Sequence, residues 1–358
     1  MTKIVDGSKA TVHAGPVSRA AGVAYSLARL LPLSNRILID VNSQRPVDSA
    51  LSFLSARWRT QHAGIRQVVI TPRVRDSWRH SWHLGRSRWL VTNELFFSRL
   101  PKREGQFMLV AVNEQPLVRS GRDNPDWVLQ PSSERRPSRS QVDRWDLVVT
   151  SSPFATQVLR SSSGYVGEVL EGVSAFADAS ATALDDPQLR IRLALNPNLP
   201  VVLCALASST SAMQAEALVQ AFAGRMQFRF VTDDGSRVHS SQVFDDLPSW
   251  CAAADLLVTD WSSLAMEFGS LQRPIVAFQP DHLDVVRRRG TYLDLPTVLP
   301  GPMVTTMSEL FEQLQVWLAD GDAGLSEFGK RSSAFSQFGA PPKSVAAERI
   351  WQSSMGSR

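Results

Sequence analysis

The residues best suited to chemistry are Thr259, Asp260, Ser262 and Ser263, which close the apolar run Leu256–Val258 and lead into Leu264–Phe268. A strand that ends in Thr-Asp, turns through Trp-Ser-Ser and enters a helix offers hydroxyls and unpaired backbone N–H groups at one point. That combination suits a phosphate. Ser262 or Ser263 can serve as the N-cap, and Glu267 stands early in the helix, where the helix dipole favours an acid. A well-capped helix with no ligand has the same residue types, so both readings stand. Some 25 residues on, Arg287, Arg288 and Arg289 precede Gly290. Guanidinium forks there can clamp a pyrophosphate, or the run can be a solvated charged face.

These residues need a scaffold, and the alternation of short apolar runs with helical spacing supplies one. Strands are expected at Arg36–Val41, Val68–Thr71, Trp89–Thr92, Phe107–Val112 and Leu147–Thr150. Helices are expected at Pro46–Arg59, Trp78–Arg86 and Pro153–Arg160. A second alternation follows, with strands at Pro200–Ala205, Gln227–Val231, Leu256–Thr259 and Pro274–Phe278. Its helices are Ala212–Ala223, Phe244–Ala253 and Ser308–Leu318. Buried apolar strands between helices indicate parallel sheets covered on both faces. The fold class is therefore α/β, with two doubly wound, Rossmann-like domains facing a cleft. Ligands in such sheets sit at the carboxyl ends of strands, where the Thr259–Ser263 turn falls. Boundaries follow: 1–35 a tail with an amphipathic helix, 36–170 an acceptor-side domain, 171–335 a nucleotide-donor domain, 336–358 a C-terminal helix or tail. Ser120–Arg144, rich in Pro, Ser and Arg and without periodicity, reads as a long loop or lid.

The chain has 358 residues, 43% hydrophobic and 20% charged, with a formal net charge of +4. This is a globular composition with a mild basic excess, suited to anionic partners but without the basic, aromatic-interleaved stripe of a nucleic-acid binder. Cys204 and Cys251 lie in apolar surroundings and read as buried small hydrophobes, which fits a cytoplasmic protein. No window is long and apolar enough to span a membrane. Val17–Leu33, with Arg19 and Arg29 among apolar residues, either packs on the domain behind it or docks at the inner face of an anionic membrane. His80 and His83 share a helix with Trp78 and Trp82, but with no third ligand a metal site is not expected.

From Leu256 to Val304 the elements T-D-x-S-S, R-P-I, R-G-x-Y-x-D and P-G-P stand in an order that resembles the CDP-glycerol glycerophosphotransferase family. Weaker similarity covers Leu30–Asp40, Trp89–Asn93, Gly105–Gln106, Pro116–Asp123, Arg144–Ala155 and Gly164–Gly172. The resemblance implies a GT-B fold that moves glycerol phosphate from CDP-glycerol, or a related nucleotide-linked donor, to a lipid-linked polyol-phosphate or glycan acceptor. CMP is released, and neither metal nor cofactor is required. It implies that Thr259, Asp260, Ser262 and Ser263 hold the donor phosphates, with Glu267 behind them and Arg289 and Gly290 closing the nucleotide side.

Three segments depart from that pattern. Where the family carries a Trp-His-Gly-Thr-Pro segment, whose histidine is the expected base, this chain reads Val112-Asn113-Glu114-Gln115-Pro116. Asparagine cannot take a hydroxyl proton near neutral pH. The family's Ala-Pro-Thr element becomes Ala205-Leu206-Ala207, and Gly172-Val173-Ser174-Ala175 lacks the arginine of Gly-Tyr-Pro-Arg. Glu114 and His239 are the substitute bases the sequence offers. Two other readings remain beside transfer from CDP-glycerol. One is a catalytically silent relative that binds nucleotide or polymer as a partner subunit; the other is a GT-B glycosyltransferase using a UDP- or GDP-sugar.

Overall fold

Two parallel sheets carry the chain. β1 (Ser34–Asp40), β2 (Arg66–Ile70), β3 (Ser87–Thr92), β4 (Phe107–Ala111), β5 (Leu147–Thr150) and β6 (Glu168–Glu171) form the first, in the order β2-β1-β3-β4-β5-β6. β7 (Val201–Ala205), β8 (Gln227–Val231), β9 (Leu256–Thr259), β10 (Ile275–Phe278) and β11 (Met303–Val304) form the second, in the order β11-β10-β9-β7-β8. The computed structural model describes residues 18–40, 49–70, 77–93, 100–111, 117–131, 135, 137–206, 216–231, 246–325, 328–341 and 343–356.

The central strands β4, β5, β7, β9 and β10 are buried along their whole length, which is why they read as unbroken apolar runs. Two strands escaped the sequence reading. β6 is Glu-Val-Leu-Glu at a sheet edge, and β11 has only two residues. Edge strands need no apolar run, so periodicity does not reveal them.

Serine caps set several helix starts. The hydroxyls of Ser18, Ser77, Ser152 and Ser174 accept from the backbone N–H three residues on, opening helices Arg19–Arg29, Trp78–Arg86, Pro153–Ser163 and Ala175–Leu184. The N-terminal helix is shorter than its apolar segment suggested. Its buried face is Ala21, Ala24, Tyr25 and Ala28, and it lies against helix Trp78–Arg86. Ser120–Arg144 is not one free loop either: it holds two 3₁₀ turns, Gly121–Asp123 and Pro125–Leu129, and helix Arg139–Val142. Its local hydrogen bonds include backbone N–H groups of Asp126 and Ser138 donating to the side chains of Asn124 and Gln141, which leave no apolar period.

The two sheets share one apolar core. Helix Ala175–Leu184 packs against Ser49–Gln61 of the first half and Leu247–Ala253 of the second. Helix Ala346–Ser354 returns to the first half: Trp58 Nε1 donates to the Ala347 carbonyl (2.7 Å), and the Trp351 ring stacks on His62. Cys204 and Cys251 are fully buried free thiols, and burial pushes both well above the ordinary thiol range.

Candidate functional site

In the second sheet the chain leaves β7 for β8 on one side and returns for β9 on the other. The carboxyl ends of β7 and β9 are therefore the switch point of the sheet, the usual ligand position in such folds. The Thr259–Ser263 turn lies there. The Thr259 hydroxyl donates to the Ala205 carbonyl (3.0 Å), and the Asp260 N–H reaches the same oxygen (3.3 Å). Thr259 thus ties β9 to β7. Asp260 is 4% exposed, and its carboxylate accepts from the Trp261 N–H at 2.7 Å.

The sequence suggested several open N–H groups at this helix start, and the structure revises that. Leu264 N–H donates to Ser262 Oγ (3.3 Å), Ala265 N–H to the Ser262 carbonyl, and Met266 N–H to the Ser263 carbonyl. The helix, Leu264–Gly269, is only six residues long, so its dipole adds little. At this helix start, the groups that make no hydrogen bond among the described residues include the N–H of Ser262, the N–H of Ser263 and the Ser263 hydroxyl. All belong to partly exposed residues at the end of β9. Glu267 is 5% exposed and faces the seam between the halves, where it accepts from the Ser174 hydroxyl at 3.4 Å.

Arg289 and Gly290 belong to a strap that joins the two halves. Arg119 N–H donates to the Gly290 carbonyl (3.0 Å), Tyr292 N–H donates to the Leu117 carbonyl (3.1 Å), and Val118 bridges Thr291. The Tyr292 hydroxyl donates to Asp123 Oδ2 (2.8 Å) and accepts from Ser120 N–H (3.2 Å); Ser161 also donates to Asp123 (2.6 Å). Gly290 is required by its φ of +73° and by the Arg119 side chain, which a Cβ would meet at 3.1 Å. The strap explains why Pro116–Asp123 and R-G-x-Y accompany each other. Arg287, Arg288 and Arg289 make no ion pair among the described residues.

The other two motifs are structural. Arg273 of R-P-I donates to the carbonyls of Ala252 (2.8 Å) and Ala254, closing the end of helix Leu247–Ala253. Gly301 of P-G-P has φ +151° and lies on the Ile275 carbonyl, while Pro300 and Pro302 accept from Ile275 and Ala277. This pairing aligns β11 with β10.

Asn113, Glu114 and His239 lie outside the described residues. His80 and His83 do not converge on one ligand. His80 is buried with Nε2 3.9 Å from Asp40 Oδ2, whereas His83 Nδ1 is 2.8 Å from Arg36 Nη1. Burial, then the Arg36 charge, holds His83 below the usual histidine range.

Three neighbours of the turn went unread in the sequence. The Trp261 indole donates to Asp281 Oδ1 (2.9 Å) and stacks on the His282 ring (5.7 Å between centroids). Gln279, fully buried, donates to the Asp260 carbonyl (3.1 Å) and meets His282 Nδ1 through Oε1 (3.0 Å). The available signal was positional: residues after β10 share an edge with residues after β9.

Known proteins resemble this chain in sequence and in fold. The model of the family described as CDP-Glycerol:Poly(glycerophosphate) glycerophosphotransferase matches residues 55–173 and 227–352. A teichoic acid poly(glycerol phosphate) polymerase of Bacillus spizizenii is 20% identical over 271 residues, 65% of this chain and 67% of that protein. A teichoic acid glycerol-phosphate transferase of Staphylococcus aureus is 36% identical over 74 residues, 20% of this chain and 19% of that one. The structure of the wall teichoic acid polymerase TagF superposes with TM-score 0.76 at 16% identity, covering 93% of this chain and 92% of that one. A form of TagF soaked with CDPG gives TM-score 0.78 at 18% identity, with the same coverage. The fold is therefore GT-B-like.

Proposed function

The chain belongs to the CDP-glycerol:poly(glycerophosphate) glycerophosphotransferase family, and we propose that it transfers glycerol phosphate, or a related alditol phosphate, from a CDP-linked donor in teichoic-acid-like polymer synthesis. The observation that carries this is the β7/β9 switch point, where Ser262 and Ser263 bring open N–H groups and the Ser263 hydroxyl to one turn. Those groups hold the donor diphosphate. Arg289 and Gly290, on the strap, close the nucleotide side. Fixed donors aimed at the leaving phosphate stabilise the charge that builds as CMP departs. Residues 171–335 form the donor-binding part, and the acceptor approaches from the first sheet.

The acceptor in this reading is a lipid-linked polyol phosphate or glycan, met at a membrane surface. Support comes from helix Arg19–Arg29 and the residues after it. Val23 and Leu27 are more than half exposed, Leu30 is 81% exposed and Leu31 41%, with Arg19 and Arg29 alongside. An exposed apolar row flanked by cations suits peripheral docking on anionic lipid. Among the described residues no helix is long and apolar enough to cross a membrane. Replacing Leu27 and Leu30 with Asp should abolish sedimentation with phosphatidylglycerol vesicles; unchanged sedimentation rules out this docking face.

The test of the transferase reading is release of CMP from CDP-glycerol with incorporation of glycerol phosphate into a synthetic lipid-linked glycerol phosphate. A protein that binds CDP-glycerol without releasing CMP is instead the silent relative, the reading that Asn113 favours.

A further inference from the structure

The Gln279–His282 pair beside the donor turn has a defined hydrogen-bond polarity. The Gln279 amide nitrogen donates to the Asp260 carbonyl, so Oε1 is the atom turned to His282 Nδ1. A carbonyl oxygen only accepts; Nδ1 must therefore carry the proton. In the neutral ring this leaves Nε2 with its lone pair and no hydrogen-bond partner among the described residues. The ring is partly exposed, and one face lies on Trp261, whose indole is fixed in turn by Asp281. An accessible imidazole is thus held in one tautomer, stacked on Trp261 of the donor turn. A surface histidine without function has no need of a fully buried amide to orient it.

We infer that His282 Nε2 is the proton acceptor for the attacking hydroxyl, oriented by Gln279 and Trp261. This inference rests on the donor-site reading above. The acceptor hydroxyl oxygen forms a bond to the phosphorus that carries glycerol, and the bond from that phosphorus to the CMP oxygen breaks. CMP leaves with the electron pair, and the hydroxyl proton passes to Nε2. The resulting imidazolium keeps its Nδ1–H on Gln279. His282 is a partly exposed side chain, so its removal does not open the core.

The experiment follows CMP release from CDP-glycerol, with a synthetic lipid-linked glycerol phosphate as acceptor, in the full-length protein and in His282→Ala. Calorimetry measures CDP-glycerol affinity in both, and a melting curve verifies folding. The expected result is a loss of turnover of roughly 100-fold or more, the usual contribution of a positioned base. Donor affinity stays unchanged, and added imidazole restores part of the rate. Rescue by imidazole is what a purely structural histidine does not give. Undiminished turnover, or a loss that imidazole does not repair, overturns the inference. An unaltered protein that binds CDP-glycerol but releases no CMP also overturns it while leaving the donor site intact. An unaltered protein that does not bind CDP-glycerol removes both.

Discussion

The strap between the halves gives a quantitative prediction. Tyr292→Phe removes one oxygen and keeps the ring; Asp123→Ala removes the accepting carboxylate. The lost phenol donates to the Asp123 carboxylate at 2.8 Å, accepts from Ser120 N–H at 3.2 Å and also lies 3.4 Å from the Ser120 carbonyl. A hydrogen bond to a charged group contributes about 1.5–3 kcal/mol when buried. Both side chains are only partly buried, so solvent screening brings the coupling to about 1–2 kcal/mol. Urea unfolding of the two single variants and the double variant isolates that coupling. The double variant should be less destabilised than the sum of the singles by this amount, because the bond can be lost only once. Additivity within about 0.5 kcal/mol would show that the contact does not contribute and would refute the strap as a stabilising element.

The remaining predictions are shorter. Burial raises the phenols of Tyr25, Tyr165 and Tyr292 above the ordinary value, and for Tyr165, also facing Asp146 and Glu168, to about 12. The folded state thus binds these protons more tightly than the unfolded chain. Their stability is full below about pH 10 and is lost as pH rises through the folded values, so urea midpoints should fall across that window, less steeply in Tyr165→Phe. Cys204 and Cys251, fully buried, should resist a thiol reagent in the native protein and react within seconds in denaturant; native-state labelling at either would contradict their burial. Gly301→Ala sets a Cβ against the Ile275 carbonyl at φ +151°, and should cost about 2 kcal/mol or more by melting, whereas Gly224→Ala, with open space around it, should cost about 1 kcal/mol from its φ of +73° alone.

The sheets were legible because strands such as Val201–Ala205 and Leu256–Thr259 are buried on both faces and so spell unbroken apolar runs. Glu168–Glu171 is a strand by position at an edge, a property its residue types do not display. Helix Ala346–Ser354 is held by Trp58 nearly 300 residues earlier, and the strap pairs Leu117–Ser120 with Gly290–Tyr292. Contacts across such separations leave no local pattern. At the site, residue types foretold a turn rich in hydroxyls but not where each hydroxyl points. Thr259 is spent on Ala205 and Glu267 on Ser174. His282 was hidden in what read as a charge run, because its orientation depends on Gln279, buried at the end of β10.

The central claim is that the Asp260–Ser263 turn holds a cytidine-linked diphosphate, and melting curves across CDP-glycerol, CDP-ribitol, CMP, UDP-glucose and GDP-mannose test it most directly. CDP-glycerol at a hundred times its dissociation constant should add about 2.7 kcal/mol of stability to the unaltered protein. In Ser262→Ala/Ser263→Ala that stabilisation should shrink or vanish. A shift with UDP-glucose or GDP-mannose alone, or an equal CDP-glycerol shift in the double variant, would contradict the account.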